Sequence, residues 1–97
     1  MNITWKRTLR TPSSERFLAL YHGKEAAAVD LHYLPQGNIS GTVIVLQSSG
    51  LKESEIPTLL SSLDDEFLPD VDLSDGNLSY TVVMGELLGN WQAEPSE

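Results

Sequence analysis

The sequence contains no cysteine. Disulfide bonds, thiolate nucleophiles and cysteine-ligated zinc are therefore excluded. Small secreted domains often depend on disulfides for stability, so their absence favours an intracellular protein. The first residues, Met1 to Arg7, lack the apolar run that is typical of a signal peptide. We therefore predict a cytoplasmic location.

Long hydrophobic runs and basic residues are also scarce. No apolar run approaches the ~20 residues that cross a bilayer, so no membrane association is expected. All six lysines and arginines lie in residues 1–52, whereas residues 53–97 hold eleven of the fourteen acids. The net charge is −8, and residues 53–97 contain no lysine or arginine. Because phosphate contacts need a clustered basic face, nucleic-acid binding is not expected.

Motifs of catalysis and cofactor binding are missing as well. The chain contains no Gly-x-Ser-x-Gly elbow, no Gly-x-Gly-x-x-Gly and no phosphate-binding loop. We therefore expect no cofactor, and the sequence leans towards a protein that is not an enzyme.

The sequence does contain a regular pattern of apolar residues, which make up 40% of its 97 residues. This length fits a single domain over 1–97, with residues 92–97 expected to be a frayed tail. Alternation of apolar and polar residues predicts strands over 2–10, 16–22, 25–34 and 39–47, and a last strand from Leu78 to Met84. The strand over 39–47 is apolar on both sides, which predicts a central strand covered on both faces.

A helix is predicted between the last two strands, because apolar residues from Ile56 to Phe67 recur at helical spacing. Ser54 is the expected N-cap, and Pro57 fits the first turn. The helix should end near Leu68, since the residue before a proline disfavours the α region. The order β-β-β-β-α-β predicts an α+β fold, in which one amphipathic helix packs on a mostly antiparallel sheet of about five strands.

The turn between the second and third strands decides which residues share a face. A type II′ turn at Gly23-Lys24 would place Leu18 opposite Val29. The face expected to lie under the helix comprises Leu18, Leu20, Val29, Leu31 and Ile44. The other face would then present Phe17, Ala19, Tyr21, Ala26, Ala28, Val43 and Val45.

That second face is larger than the apolar patch that a monomer normally exposes. Because a two-fold homodimer is the commonest way to cover such a patch, we predict a homodimer. Its interface is expected to comprise Phe17, Ala19, Tyr21, Val43 and Val45.

One pair of residues is a weak candidate for catalysis. Asp30 and His32 are two residues apart on a strand and therefore point to the same face of the sheet. We expect Tyr21 to lie near them on this face. A carboxylate beside an imidazole can orient a general base. A polar strip on a half-exposed face is the simpler interpretation of the pair, and we favour it.

The acidic residues suggest a cation or a basic partner. Asp70, Asp72 and Asp75 are weak metal candidates, although the loop lacks the glycine and the glutamate that a calcium-binding EF-hand requires at its sixth and twelfth positions. Asp64, Asp65 and Glu66 occupy the predicted helix end, where the helix dipole disfavours negative charge. Together these six acids predict a surface for a basic protein, unless Lys6, Arg7, Arg10 and Arg16 neutralise them.

Three hypotheses therefore follow from the sequence. The first is a protein-binding or assembly module that acts as a homodimer. The second is a small enzyme that uses Asp30 and His32. The third is an acidic adaptor that docks a basic protein or a divalent cation.

Overall fold

The computed structural model describes residues 2–68 and 77–94. Within them, strands β1 (Ile3–Thr11), β2 (Ser14–Tyr21), β3 (Lys24–Tyr33) and β4 (Ile39–Leu46) precede helix α1 (Ile56–Phe67) and strand β5 (Leu78–Gly85). The strands form one sheet in the order β1-β2-β3-β4-β5. The first four are antiparallel neighbours, and β5 runs parallel to β4 after the helical crossover. The predicted α+β fold with the order β-β-β-β-α-β is thus confirmed.

The start of α1 differs slightly from the prediction. Ser54 lies inside a short 3₁₀ turn, Glu53–Glu55, so Glu55 is the N-cap instead. The Glu55 carboxylate accepts a hydrogen bond from the Lys52 backbone N–H at 3.0 Å, which fixes the approach to the helix. Pro57 lies in the first turn and the helix ends at Phe67, as predicted. The last strand ends at Gly85, one residue beyond the predicted end at Met84.

The hairpin between β2 and β3 differs from the predicted register. His22 and Gly23 are its two central residues, and both have positive φ, of 54° and 76°. This is the pattern of a type I′ turn, and it pairs Tyr21 with Lys24. A bulge at Ala26 then shifts the pairing by one residue, so that Leu18 lies opposite Ala28 and Phe17 opposite Val29. A slip of one residue reverses which side chains share a face.

This slip corrects the prediction of which face lies under α1. Ala27, Val29 and Leu31 of β3 are buried under the helix, as expected for Val29 and Leu31. From β2 and β4, however, the buried residues are Phe17, Ala19, Val43 and Val45, with no exposed surface. The expected core residues Leu18 and Leu20 are only partly buried, and 45% of Ile44 is exposed. The prediction that β4 is covered on both faces was therefore wrong.

Contacts between α1 and the sheet define the core. The Phe67 ring packs on Phe17 with 4.3 Å between the ring centroids. The indole Nε1 of Trp5 donates a hydrogen bond to Ser62 Oγ at 2.9 Å, which ties β1 to the outer side of the helix. Leu59 and Leu63 complete the buried face of α1. The helix covers one side of the sheet, and in the described residues no second helix covers the other side.

Candidate functional site

The sheet side opposite α1, here called the open face, carries an apolar row. Strand pairing places four residues side by side from β2 to β5, namely Leu18, Ala28, Ile44 and Val83. Ile44 is 45% exposed and Val83 is 49% exposed. Most apolar side chains on a sheet gain stability by burial against another layer, and these two have none within the described chain. The row is therefore an unpartnered apolar surface.

Residues that follow β5 extend this surface. Leu87, 62% exposed, borders a cavity of ≈ 310 Å³ on the open face. Leu18, Ala28, Ile44 and Leu46 supply most of its apolar lining, and Glu25 and Glu86 supply its carboxylates. The cavity contains no complete set of groups that would position a reactive substrate.

The other half of the open face is polar. Arg16 lies opposite Asp30 in the sheet, and its guanidinium donates two hydrogen bonds to the Asp30 carboxylate, at 2.6 and 3.3 Å. The hydrogen bond and the charge of Asp30 raise the pKa of Arg16. Both oxygens of Asp30 are thus occupied by a cation that remains charged.

The structure does not bring the three catalytic candidates together. Asp30 and His32 share the open face, as predicted, and His32 is exposed beside Ser14 and Ser40. Tyr21 lies on the helix side of the sheet, five residues along β2 from the position opposite Asp30. At the rise of a strand, that separation is about 17 Å. Neither Asp30 nor His32 lines the cavity described above.

Strand β5 forms one margin of the sheet and is exposed on both of its sides. Val82 and Met84 point to the helix side and are 39% and 44% exposed, whereas Val83 points to the open face. Val82 and Met84 border a cavity of ≈ 420 Å³ at the start of α1, together with Val45, Glu53, Ile56 and Pro57. None of the eight residues of β5 is charged. Apolar side chains therefore flank an outer strand that pairs with β4 on one edge and with no described strand on the other.

The opposite margin of the sheet, β1, carries cationic side chains. Arg7 lies over the rings of Phe17 and Phe67, 5.6 and 5.7 Å from their centroids. Its Nε is 3.1 Å from a carboxylate oxygen of Glu15, and Arg10 approaches the same oxygen at 3.6 Å. Cationic side chains on an outer strand oppose pairing with another chain.

Glu15 is the acceptor in a cluster that sequence reasoning did not find. Only 8% of Glu15 is exposed, and Tyr33 donates a hydrogen bond to its second oxygen. Burial and the bond to Glu15 raise the pKa of Tyr33 to about 12. Arg10 lies directly opposite Glu15 in the β1–β2 hairpin, so a correct register for that hairpin was the missing signal. This cluster joins β1, β2 and β3 and is structural.

The acidic residues at the end of α1 differ in their contacts. Asp64 accepts a hydrogen bond from the Tyr80 hydroxyl at 2.6 Å. Burial and this bond raise the pKa of Tyr80. Asp65 and Glu66 are exposed and take part in none of the ion pairs of the described chain, whose arginines contact Glu15 and Asp30 instead. Docking of a basic protein on these acids stays a prediction.

Metal binding by the acidic loop is not addressed by the structure. Asp70, Asp72 and Asp75 lie outside the described residues. Across residues 2–68 and 77–94, no three histidine or acidic side chains come together as metal ligands would. In the same part of the chain, no helix is both long and apolar enough to cross a bilayer.

No protein-family profile matches the sequence, and no curated protein matches it significantly. Among solved structures, the chain is similar to the ribosomal-protein-alanine N-acetyltransferase from Brucella melitensis biovar Abortus 2308. The two chains are 15% identical with a TM-score of 0.41, and the match covers 92% of this chain and 76% of the other. A likeness of this degree does not support a shared activity. The function is therefore argued from the surface of the protein itself.

Proposed function

We propose that the protein is a non-enzymatic assembly module that acts as a homodimer. Its assembly surface is strand β5, where the apolar row of the open face reaches the margin of the sheet. The observation that carries this proposal is the exposure of Val82, Val83 and Met84, apolar side chains on both sides of an outer strand that has no charged residue. The surface differs from the one expected from sequence, because Phe17, Ala19, Val43 and Val45 are already buried under α1.

The available burial favours a modest affinity. Full burial of a large aliphatic side chain stabilises by about 1.5–3 kcal/mol, and Val82, Val83 and Met84 each retain roughly half of that. Two copies could thus gain about 4.5–9 kcal/mol, against an association cost of about 4–15 kcal/mol. The gain exceeds the cost by at most about 5 kcal/mol, so we expect a weak dimer with a dissociation constant in the high micromolar range.

The polar half of the open face supports a role that is not catalytic. Asp30 is held by Arg16, and Tyr21 lies on the other side of the sheet, so Tyr21 does not join the Asp30–His32 pair. A general base needs an acceptor that is free to take a proton from a bound substrate. The arrangement instead resembles a solvated cross-strand ion pair.

Sedimentation equilibrium from low to high micromolar concentration tests the proposal. We expect the wild-type protein to approach twice the mass of one chain at the upper end. Val83→Lys should weaken the dimer at least tenfold, because it places an ammonium within the apolar surface. Ser40→Lys is the matched control: it adds the same charge on the same face, at the polar end of the neighbouring strand β4 and outside β5.

Two results would contradict this function. One is a wild-type protein that remains monomeric at high micromolar concentration. The other is equal weakening by Val83→Lys and Ser40→Lys, which would indicate a general effect of charge. Circular dichroism of both variants confirms folding, which we expect because both positions are exposed.

A further inference from the structure

The two outer strands of the sheet differ in how they would receive another strand. β1 carries Lys6, Arg7 and Arg10, and cations on an outer strand discourage pairing between chains. β5 has no charged residue over Leu78–Gly85, and apolar side chains are exposed on both of its sides. A long, uncharged outer strand of this kind is a template for strand addition.

From this contrast, we propose that two copies pair antiparallel along β5. The pairing joins the two five-stranded sheets into one continuous sheet of ten strands, with both α1 helices on the same side. This inference rests on the proposed function and specifies how the homodimer is built. The occupant of the β5 margin is a second copy of the chain.

Electrostatics favour this geometry over stacking of the open faces. The chain carries a net charge of −8, so two copies repel each other least where they meet at an uncharged surface, and β5 is such a surface. Stacking of two open faces would instead enclose the Arg16–Asp30 pair and Glu25 of each copy. Removing such charges from water costs several kcal/mol per ion when the geometry is not ideal.

The exposed side chains of β5 also match the pairing. Strand addition at β5 would cover Val82 and Met84 on the helix side and Val83 on the open face. The cavity of ≈ 420 Å³ beside Val82 and Met84 opens at this margin and becomes a cleft between the two helices. Contact along one strand buries less than the ~1,200 Å² of a standard interface, which is typical of weak and transient association. This agrees with the micromolar affinity expected above.

Symmetry restricts the register of the pairing. A two-fold axis perpendicular to the sheet keeps each residue on its own face, and residues directly opposite in an antiparallel pair point to the same face. One residue of β5 must therefore lie opposite its own copy. The two registers with the greatest overlap place Thr81 or Val82 on the axis, and each pairs seven of the eight residues of β5.

Because the wild-type chain contains no cysteine, single-cysteine variants give a direct test. Opposed residues across an antiparallel pair have Cα atoms about 4.5–5.5 Å apart, within the range that a disulfide spans. We expect mild oxidation by diamide to cross-link either Thr81→Cys or Val82→Cys, with most chains converted, and to cross-link the other at least tenfold less. Ile44→Cys is the matched control on the neighbouring strand, exposed on the open face.

In the β5-paired dimer, three strand spacings separate the two copies of residue 44, or about 14 Å, which is too far for a disulfide. Cross-linking of Ile44→Cys without cross-linking at Thr81 or Val82 would overturn the inference and indicate stacking of open faces, while leaving the homodimer intact. A wild-type protein that stays monomeric in sedimentation would overturn the proposed function itself. Cross-linking of Thr8→Cys, at the exposed β1 margin, in place of β5 would also contradict the inference.

Discussion

Adjacent residues on β2 allow a sensitive test of which side of the sheet is the core. Phe17 is completely buried, contacts Phe67 and lies under Arg7. Leu18, the next residue, points to the open face and is only partly buried. Truncation of these two side chains to alanine should therefore have very different effects on the free energy of unfolding.

The expected magnitudes follow from burial. Phe17→Ala removes a fully buried aromatic ring and leaves a cavity, for which the cost is about 3–5 kcal/mol. Part of this loss, about 0.5–1.5 kcal/mol, comes from the aromatic pair with Phe67. Leu18→Ala should cost about 1 kcal/mol, because solvent already reaches that side chain and no closed cavity is formed. Since a domain of this size is stable by only about 5–15 kcal/mol, Phe17→Ala removes a large fraction of the total.

Urea unfolding followed by circular dichroism measures both variants. The measurements belong at low micromolar concentration, so that dissociation of a dimer does not contribute to the apparent stability. Phe17→Leu provides a milder variant in case Phe17→Ala does not fold, and it should lie between the wild type and Phe17→Ala. If Leu18→Ala destabilised as much as Phe17→Ala, the assignment of Phe17 to the core and of Leu18 to the open face would be refuted.

Two further predictions concern the packing of the Tyr80 ring and the hydrogen bond of Tyr33. Gly41→Ala should destabilise the fold by about 1–3 kcal/mol in urea unfolding, because a Cβ at this position would lie 2.5 and 2.8 Å from two ring carbons of Tyr80. Gly85→Ala should be neutral, because its Cβ would meet nothing within 4 Å, and equal effects of the two substitutions would contradict this packing. The stability that Tyr33 provides should be fully present below its unfolded pKa of 10.0 and lost as the pH rises through its folded pKa of about 12, because the folded state holds the proton more tightly. Thermal melts between those pH values should show a smaller loss for Tyr33→Phe than for the wild type, and an identical loss would exclude Tyr33 as the cause.

The sequence was sufficient for the order and type of the elements, because each has a strong local pattern. The helix from Ile56 to Phe67 follows its apolar spacing, and Pro57 and Leu68 mark its ends. These features depend on neighbouring residues in the chain.

The faces of the sheet could not be predicted so directly, because they depend on the register between strands. Glycine at the first central position fits a type II′ turn, which predicts the turn at Gly23-Lys24, whereas the positive φ of His22 places it at His22-Gly23. The bulge at Ala26 has no marker in a run of three alanines. Together the turn and the bulge produced the one-residue slip that exchanged Phe17 for Leu18 in the core. For the same reason, Phe17, Ala19, Val43 and Val45, which the sequence predicted as an interface, are buried under α1.

Amide hydrogen exchange tests the central claim, assembly through β5, most directly. Every second residue of β5 directs its backbone N–H away from β4, and in an isolated chain these groups have no partner among the described strands. We predict that these amides are protected at high micromolar concentration and lose their protection on dilution. The outward amides of β1 serve as the internal control and should exchange rapidly at both concentrations. If the outward amides of β5 exchange as fast as those of β1 at every concentration, the strand does not pair with a second copy and the account is contradicted.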